Sequence, residues 1–275
     1  MRSREFSSPG IGDLALHCRA WLPDGKTKGV IALAHGLGEH SGRYEALAVE
    51  LTRHGYAVYA LDHRGHGRSG GGRANIDRFA HVVSDFSMFA GRAGKQHPDA
   101  PVYLLGHSMG GAIAFAAALR LQSSLHGLVL SAPALSAGDA AGGFRVLLAR
   151  LMSTLAPGVG AIKIDPAAVS RDPDVVRDYA ADALVFHNAV PARTVIELLD
   201  AMGGFAAQAP RLTLPTLVLH GTADKLVPLA AAKPVYQAIG SKDRTLRFYD
   251  GLYHEVFNEP ERARVIADLV GWLDS

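Results

Sequence analysis

Cysteine is nearly absent from this chain of 275 residues, since Cys18 is the only one. The chain therefore has no partner for an internal disulfide and no cysteine-based metal site. It also lacks an excess of charge of either sign, with 28 Lys and Arg against 26 Asp and Glu and a formal net charge of +2. No block of five or more basic residues occurs, so the charge pattern predicts no nucleic-acid partner.

Long apolar runs are absent as well. The longest helix-like apolar stretch covers residues 112–119, far short of the ~20 residues that span a bilayer. The first ten residues are polar, and their basic side chains have no apolar stretch of about 7–15 residues behind them, unlike a signal peptide. We therefore predict a soluble, cytoplasmic protein, and the sequence leaves a peripheral contact with a membrane open.

The chain does contain a repeated alternation of short apolar runs and helical segments. Hydrophobic residues are 48% and charged residues 20%, a balance typical of globular proteins. We predict an early strand at 14–21, and apolar runs without alternation follow at 30–34, 57–61, 102–105, 128–130, 216–219 and 245–249. Helical segments lie between them at 44–53, 76–93, 109–121 and 259–272. Such strands are buried on both faces of a parallel sheet, so the pattern predicts an α/β fold with a mostly parallel central sheet.

One interval is too long for a simple connection. More than 80 residues separate the strand ending near 131 from the strand starting near 216, whereas a crossover with its helix needs only about a dozen. An apolar stripe at helical spacing lies inside the interval, formed by Phe144, Leu147, Leu148, Leu151 and Leu155. We predict an inserted helical cap at 135–212, and a core built from 1–134 and 213–275.

The motif with the clearest chemistry is G-H-S-M-G at 106–110, which fits G-x-S-x-G between a predicted strand and a predicted helix. In this context the serine, Ser108, sits on a tight strand-to-helix turn. The flanking glycines remove Cβ atoms that would collide there, and the helix N-terminus favours a developing negative charge. We predict that Ser108 is a catalytic nucleophile.

A serine nucleophile needs a base and a carboxylate that orients the base. In this fold class they follow the serine in the order acid, then histidine, each after a later strand. Asp224 follows the run at 216–219, and His254 follows the run at 245–249. We predict Asp224 as the acid and His254 as the base. Asp250 is a rival acid in the loop of His254, and His220 is expected to be a structural hydrogen-bonding residue.

Acyl transfer also needs backbone N–H groups that stabilise an oxyanion. The residue after the nucleophile, Met109, should supply one. The glycine-flanked Leu37, in the motif H-G-L-G-E-H at 35–40, should supply the other. The motif D-H-R-G-H-G-R-S at 62–69 is expected to be a structural turn near the same edge of the sheet.

No cofactor is predicted. A metal reading could use four polar residues of these two loops, Glu39, His40, His63 and His66, but no His pair among them has the helical spacing of a zinc motif with its glutamate base. A phosphate-binding loop would need G-K-[ST] or a strand followed by G-x-G-x-x-G, and neither is present. We therefore expect neither a metal nor a nucleotide.

Five motifs in the same order resemble the monoacylglycerol lipase family of serine hydrolases, with bacterial members most similar. They lie at 35–44, 62–69, 106–111, 220–224 and 251–259. The resemblance implies an α/β-hydrolase core, a mobile helical cap and hydrolysis of monoacylglycerols to glycerol and fatty acid. It also implies Ser108, Asp224 and His254 as a triad, with oxyanion amides at Leu37 and Met109.

The resemblance further implies a polar glycerol site beside an apolar acyl tunnel. Arg43 and His107 match positions that border the glycerol end in relatives, and Tyr179 resembles a tyrosine of the cap there. Animal members carry a glutamate four residues before that tyrosine, where this chain has Val175. Asp174 is adjacent but out of register, so the hydrogen bonding of the glycerol head stays open. The apolar stripe of the cap either packs on the core or borders the tunnel and touches lipid at its mouth.

Several other functions share parts of this pattern. A lysophospholipase or a short-chain carboxylesterase would use the same triad, although the former needs a cationic phosphate site, for which Arg43 with His107 is a thin candidate. A transacylase would differ only in the acceptor of the acyl group. A non-catalytic ligand-binding protein of the same fold would be expected to lack a triad residue. The sequence leaves the acyl-chain length, the preferred ester position and the oligomeric state open.

Overall fold

The fold was obtained as a computed structural model, which describes residues 1–138 and 144–275. The side chains of residues 144–148 also lie outside the described part. The strands are β1 (Arg2–Pro9), β2 (Ala15–Leu22), β3 (Gly29–Ala34), β4 (Tyr56–Leu61), β5 (Val102–His107), β6 (Gly127–Ser131), β7 (Gly160–Ile162), β8 (Val190–Pro191), β9 (Thr216–Gly221) and β10 (Arg244–Tyr249). The helices are α1 (Glu45–Arg53), α2 (Phe79–Lys95), α3 (Met109–Leu121), α4 (Phe144–Leu155), α5 (Pro173–Ala181), α6 (Ala192–Gln208), α7 (Leu229–Ala238) and α8 (Arg262–Leu273).

Eight strands form the central sheet in the order β1-β2-β4-β3-β5-β6-β9-β10. Six of these strands are parallel to one another, namely β3, β4, β5, β6, β9 and β10. Strands β1 and β2 pair antiparallel at one edge of the sheet. The predicted α/β class with a mostly parallel sheet is therefore confirmed. Because the six strands are parallel, the loops after β3, β5, β9 and β10 leave the same edge of the sheet.

Helices cover both faces of this sheet, which explains why its strands have no polar side. In β3 every residue is buried. Val30, Ala32 and Ala34 belong to the apolar core that includes α2 and α3, whereas Ile31 and Leu33 belong to the core that includes α1 and α8. Successive side chains of a strand point to opposite faces, so a strand covered on both faces consists entirely of apolar residues.

Two elements of the core were not predicted. The first strand, β1, is mostly exposed and pairs with β2 along its whole length, so backbone hydrogen bonds rather than an apolar face hold it. Helix α7 carries Pro234 in its interior, a residue that normally ends a helix. It also begins just after Pro228, where a turn is the simpler prediction. Both elements depend on neighbours that are distant in sequence.

The segment between β6 and β9 contains α4, β7, α5, β8 and α6 among its described residues. Its helical content follows the prediction, but the short antiparallel pair of β7 and β8 does not. Of the predicted apolar stripe, Phe144, Leu147 and Leu148 lie outside the residues whose side chains are described. The side chains of Leu151 and Leu155 are 55% and 72% exposed, so these two do not pack on the core.

Within residues 1–138 and 144–275, we find no helix that is both long enough and apolar enough to cross a membrane. The lone cysteine, Cys18, lies in β2 opposite Leu61 of β4 and is fully buried. Its thiol is in contact with the apolar core between the sheet and α2. Burial raises the pKa of Cys18 to about 12, so the thiol stays protonated.

Candidate active site

Ser108 lies at the turn between β5 and α3, in a backbone conformation that residues with side chains rarely adopt. Its φ is +54°, and such strain persists only where the surroundings fix it. The Ser108 N–H donates to the carbonyl oxygen of Ser131 at 3.0 Å, and its own carbonyl accepts from the N–H groups of Gly111 and Ala134 at 2.9 Å each. These bonds hold the serine at the start of α3, on the wall of a large cavity.

Two glycines allow this turn to pack closely on the neighbouring strand. A Cβ atom on Gly110 would overlap the carbonyl oxygen of Ala34, and one on Gly106 would overlap the carbonyl oxygen of Gly110. The loop after β3 therefore comes close to the serine, since a Cβ placed on Gly36 would lie 3.3 Å from the Cβ of Ser108. This is the contact that G-x-S-x-G was expected to permit.

The two amides predicted for the oxyanion hole lie beside the serine. Leu37 and Met109 both line the cavity that Ser108 lines. Met109 is the first residue of α3, where a backbone N–H has no acceptor within the helix. Among the residues that the structure describes, neither the Leu37 N–H nor the Met109 N–H has a hydrogen-bond acceptor. Both donors are therefore available to an oxygen that develops negative charge near Ser108.

His254 lines the same cavity and forms a buried pair with Asp224 behind it. Nδ1 of His254 lies 2.7 Å from Oδ2 of Asp224, and the ring of His254 lines the cavity. The other carboxylate oxygen, Oδ1, accepts from the N–H groups of Leu226 at 2.8 Å and Val227 at 2.9 Å. The carboxylate thus fixes the ring through Nδ1 and leaves Nε2 as the nitrogen that can take a proton.

A second histidine supports the acid. Nε2 of His220 lies 3.2 Å from Oδ2 of Asp224 and 2.9 Å from the carbonyl oxygen of Val227. Both are acceptors, so this nitrogen carries the proton, and Nδ1 accepts from the hydroxyl of Tyr236 at 2.8 Å. Burial raises the pKa of Asp224, but hydrogen bonds from His220 and His254 lower it by more, leaving the carboxyl ionised. His220 is therefore hydrogen-bonded within the core and beside the acid.

The rival acid lies elsewhere. Asp250 is exposed, and its Oδ1 accepts from the hydroxyl of Thr222 at 3.1 Å. His254 is instead bonded to Asp224. The geometry therefore favours Asp224 over Asp250 as the partner of the histidine.

A cluster of charged residues, formed by Glu39, Arg43 and Glu255, lies at one side of the cavity. The sequence predicted no substrate-binding role for Glu39 or Glu255. Arg43 donates from Nη1 to Glu39 and to Glu255, at 2.6 Å each, and from Nη2 to Glu255 at 2.8 Å. The carboxylate of Glu39 also accepts from the hydroxyl of Tyr44 at 2.6 Å. Burial raises the pKa of Glu39, but Arg43 and His107 lower it to about 2, so Glu39 is ionised.

The predicted substrate-binding residues take different places around this cluster. Tyr179 and His107 line the cavity. Arg43 lies behind, with its guanidinium bound by Glu39 and Glu255 and 4.6 Å from the ring centre of Tyr179. Glu39 and Glu255 line the cavity, whereas Arg43 is not among the described residues that line it. We therefore interpret Arg43 as a residue that positions the carboxylates rather than one that binds the head group directly.

His107 is uncharged at neutral pH. Its Nδ1 lies 3.1 Å from the hydroxyl of Ser131, and its ring lies 4.6 Å from that of His254, centre to centre. Burial, with a smaller effect of His254, lowers the pKa of His107 to about 4. The cation that a phosphate head group would need is therefore not supplied by His107.

The cavity has a volume of about 880 Å³ and is walled by both the sheet edge and the inserted segment. This size falls within the range of small-molecule sites, ~300–1,000 Å³. Most of its wall is apolar. The larger aliphatic residues that the inserted segment contributes are Ile162, Ile164, Val169, Val195, Leu198, Leu199 and Met202.

The inserted segment is tied to the loop that carries His254. The Glu255 N–H donates to the carbonyl oxygen of Val169 at 2.8 Å. The side chain of Arg171 donates from Nε to the fully buried carboxylate of Glu259 at 2.6 Å. The segment therefore contacts the loop directly on the C-terminal side of the base.

Three buried histidines lie under the oxyanion loop. The ring centre of His35 is 4.3 Å from that of His63 and 5.5 Å from that of His66. Among the described residues, neither ring nitrogen of His63 has a hydrogen-bond partner. Burial lowers the pKa of all three, for His66 to about 3, and the neighbouring His35 adds to the lowering at His63 and His66. They are neutral in the native state.

We expect stability to fall as the pH drops below about 6.5. An unfolded histidine binds a proton near pH 6.5, whereas His35, His63 and His66 bind one only at lower pH in the native state. Stability is therefore fully present above pH 6.5 and is lost as the pH falls toward the lowered pKa values, by up to ~1.4 kcal/mol per pH unit for each group. Urea unfolding at pH 7.5, 6.5 and 5.5 measures this slope.

His63→Gln should flatten the slope, because the replacement does not titrate. The matched control is His126→Gln, which makes the same change at an exposed histidine and should leave the slope as it is. Equal free energies of unfolding of the unsubstituted protein at pH 7.5 and 5.5 would contradict the assignment.

Two of the four residues weighed for a metal, Glu39 and His40, are engaged in other contacts. His40 Nε2 lies 2.8 Å from Oδ2 of Asp182, and Glu39 is bound as described above. Across residues 1–138 and 144–275, no group of three or more His, Cys, Asp or Glu side chains is arranged to hold a metal ion.

The chain is similar to known proteins over most of its length. Residues 25–261 match the family described as "Serine aminopeptidase, S33". The chain is 42% identical over 271 residues to a monoacylglycerol lipase of Mycolicibacterium smegmatis, covering 98% of this chain and 97% of the relative. It is 39% identical over 245 residues to a monoglyceride lipase of Rattus norvegicus, covering 89% and 81%.

A solved structure agrees in fold. The crystal structure of a monoacylglycerol lipase of Paleococcus ferrophilus superposes with a TM-score of 0.82 at 32% identity, covering 94% of this chain and 98% of that one. Its likeness extends over both the sheet and most of the inserted segment, given that coverage.

Proposed function

Because the chain belongs to the monoacylglycerol lipase family of α/β-hydrolase serine hydrolases, we propose that it cleaves monoacylglycerols to glycerol and a fatty acid through an acyl-enzyme. One observation carries the proposal. Ser108, in a strained turn, shares one cavity with His254, which is bound to the buried Asp224, and the rest of that cavity is mostly apolar. The serine, histidine and aspartate suit ester hydrolysis, and the apolar wall suits an acyl chain.

The proposed reaction begins with attack by the Ser108 hydroxyl on the ester carbonyl. His254 takes the serine proton at Nε2, since Nδ1 is occupied by Asp224. The ionised Asp224 stabilises the imidazolium that results. The amides of Leu37 and Met109 donate to the oxyanion. His254 then returns the proton to the leaving glycerol oxygen, and the acyl group remains on Ser108.

The second half of the reaction releases the fatty acid. Water enters the place that glycerol has left, and His254 removes its proton as it attacks the acyl-enzyme. The same oxyanion donors act again, and Ser108 recovers its proton from His254. No metal or organic cofactor is required in either half. If glycerol or another alcohol replaces water at this step, the product is a new ester, so a transacylase activity uses the same residues.

We propose that residues 135–212 act as the cap of this site. Ile162, Ile164, Leu198 and Met202 from this segment line the cavity, which supports a role in enclosing one acyl chain. Burying each CH₂ of that chain contributes ~0.8 kcal/mol. The hydrogen bonds of the cap to the loop of His254 connect the cap to the catalytic base.

We expect monoacylglycerol to be cleaved at least ~100-fold faster than triacylglycerol, as kcat/KM in a detergent dispersion. Extra acyl chains would lie against the carboxylates of Glu39 and Glu255 and deprive them of polar partners. Each such group costs ~1–3 kcal/mol, and ~2.7 kcal/mol corresponds to about 100-fold in rate. The measurement compares 1-oleoylglycerol, dioleoylglycerol, trioleoylglycerol, a lysophospholipid and a short-chain ester under one set of conditions.

The same comparison decides between the alternative functions. Equal rates on triacylglycerol and monoacylglycerol would contradict a cap that admits one chain. A higher rate on the short-chain ester would favour a carboxylesterase, and a higher rate on the lysophospholipid would favour a lysophospholipase. The absence of turnover on every ester, in folded protein, would favour a non-catalytic binding function.

We also propose that the cap touches lipid aggregates at the cavity mouth. Four of the six large apolar side chains that are exposed among the described residues lie between residues 151 and 162. They are Leu151, Leu155, Val159 and Ile162, of which Ile162 also lines the cavity. An exposed apolar patch of this kind beside a lipid cavity is suited to the membrane interface. The cytoplasmic location predicted from the sequence stays a prediction.

Replacing Leu155 with Asp should weaken binding to neutral phosphatidylcholine vesicles by about 10-fold, because the charge opposes burial in the interface. Cosedimentation with the vesicles measures the change. Ile11→Asp, at an exposed apolar residue outside the cap, is the control. Equal binding of the two variants would argue against contact through the cap.

A further inference from the structure

The cluster of Glu39, Arg43 and Glu255 is unbalanced in charge. Two carboxylates and one guanidinium leave a net charge of −1, and all three side chains are no more than 10% exposed. The carboxylates line the cavity, whereas the guanidinium lies behind them. A head group that enters this side of the cavity therefore meets hydrogen-bond acceptors and negative charge.

The hydrogen bonds of the two carboxylates leave limited room for a ligand. An ionised carboxylate has about four acceptor positions. Glu39 accepts from Gly36 N–H, Tyr44 and Arg43. Glu255 accepts twice from Arg43 and once from the amide of Asn258 at 2.8 Å. Each carboxylate therefore retains about one acceptor position, and the pair matches the two free hydroxyls of a monoacylglycerol.

An anionic head group does not match these carboxylates. A phosphate offers only acceptors at neutral pH, so it cannot satisfy these positions, and its charge is repelled by the buried carboxylates. His107 is neutral and supplies no counter-charge. Lys163 and Lys225 also line the cavity, but both are exposed, so water and salt screen their attraction.

We propose that Glu255, bound to Arg43, is a specificity-determining residue that restricts the site to uncharged, hydroxyl-bearing head groups. The inference rests on the proposed hydrolysis of monoacylglycerols and adds the basis on which anionic lysolipids are rejected. From the sequence, Arg43 with His107 was a thin candidate for a cationic phosphate site. In the folded protein Glu255, which lies 212 positions later, binds both terminal nitrogens of Arg43.

The test compares two substrates that share an acyl chain and differ in charge. They are 1-oleoylglycerol and 1-oleoylglycerol 3-phosphate, assayed separately in the same uncharged detergent. The unsubstituted protein should prefer the uncharged substrate by at least ~100-fold in kcat/KM, since like charges at close range in a partly buried site repel strongly. Glu255→Gln keeps the size and one acceptor but removes the charge, and should reduce this preference at least ~10-fold.

The matched control is Glu50→Gln, which removes one negative charge from the exposed surface of α1 and should leave the preference unchanged. If Glu255→Gln does not fold, Glu39→Gln makes the same change of charge on the other carboxylate and should shift the preference in the same direction. A preference ratio rather than a rate is compared, because a merely structural role would slow both substrates alike.

The outcomes separate the inference from the proposed function. No cleavage of 1-oleoylglycerol by the unsubstituted protein would contradict the proposed function itself. Cleavage of 1-oleoylglycerol with a preference that is unchanged in folded Glu255→Gln, or in Glu39→Gln where that is the variant that folds, would overturn the inference and leave the function standing. A preference that shifts equally in Glu50→Gln would assign the effect to overall charge and also overturn it.

Discussion

Replacing Ser108 with Ala should lower the turnover of 1-oleoylglycerol by at least ~10⁴-fold and leave the fold intact. The hydroxyl is the proposed nucleophile, and none of the described backbone bonds of the turn depends on it. The N–H of residue 108 still donates to Ser131, and its carbonyl still accepts from Gly111 and Ala134. Alanine and serine both carry a Cβ atom and disfavour a positive φ to a similar degree, so the melting temperature should change little. Turnover and covalent labelling by a fluorophosphonate probe measure the loss.

Ser136→Ala is the matched control for this experiment. Ser136 is a second serine on the wall of the same cavity, and its hydroxyl oxygen accepts only from the N–H of Gly138 among the described residues. Its loss should change turnover by less than about threefold and leave labelling by the probe intact. Near-normal turnover by a correctly folded Ser108→Ala protein would remove Ser108 from the mechanism.

Asp224→Asn should lower turnover by roughly 10⁴-fold, and the reason lies in the bonds of the carboxylate. Oδ1 accepts from the N–H groups of Leu226 and Val227, so the carbonyl oxygen of an asparagine must take that position. The NH₂ group then faces Nδ1 of His254. A donor at this place forces the proton of the imidazole onto Nε2, the nitrogen that has to accept from serine. The negative charge that stabilises the imidazolium is lost as well.

The control for this variant is Asp250→Asn. Asp250 is exposed and bonded to Thr222, so the substitution should change turnover by no more than a few-fold. Measurement of kcat for both variants, with circular dichroism to verify folding, ranks the two acids. If Asp250→Asn is the slower enzyme, the acid has to be reassigned, and the part of the mechanism that uses Ser108 and His254 is unaffected.

The serine turn could be predicted from the sequence because its determinants are local. Gly106 and Gly110 flank Ser108 within five residues, and an apolar strand and a helix adjoin them. The parallel strands could also be predicted, since burial on both faces requires an apolar run without polar alternation. Strand β1 could not, because its residues are largely exposed and its stability comes from the pairing with β2.

The polar side of the cavity could not be predicted from local patterns. Arg43 was expected to border the head group, and in the folded protein its guanidinium is bound by Glu255, which comes from the far end of the chain. Glu255 directly follows the predicted base, His254, and Glu39 lies two residues beyond Leu37. Glu39 and Glu255 could therefore have been suspected only because they lie close to predicted catalytic residues. Their spacing in the sequence does not indicate in which direction their side chains point.

The buried thiol of Cys18 has a consequence for the chemical reactivity of the whole molecule. A thiol attacks oxidants and alkylating reagents only as the thiolate. Cys18 is inaccessible and protonated, and it is the single cysteine of the chain. Activity should therefore withstand iodoacetamide while the protein remains folded. An electrophilic probe that reaches the folded protein then meets no competing thiolate, which makes the chain suited to selective covalent modification at serine.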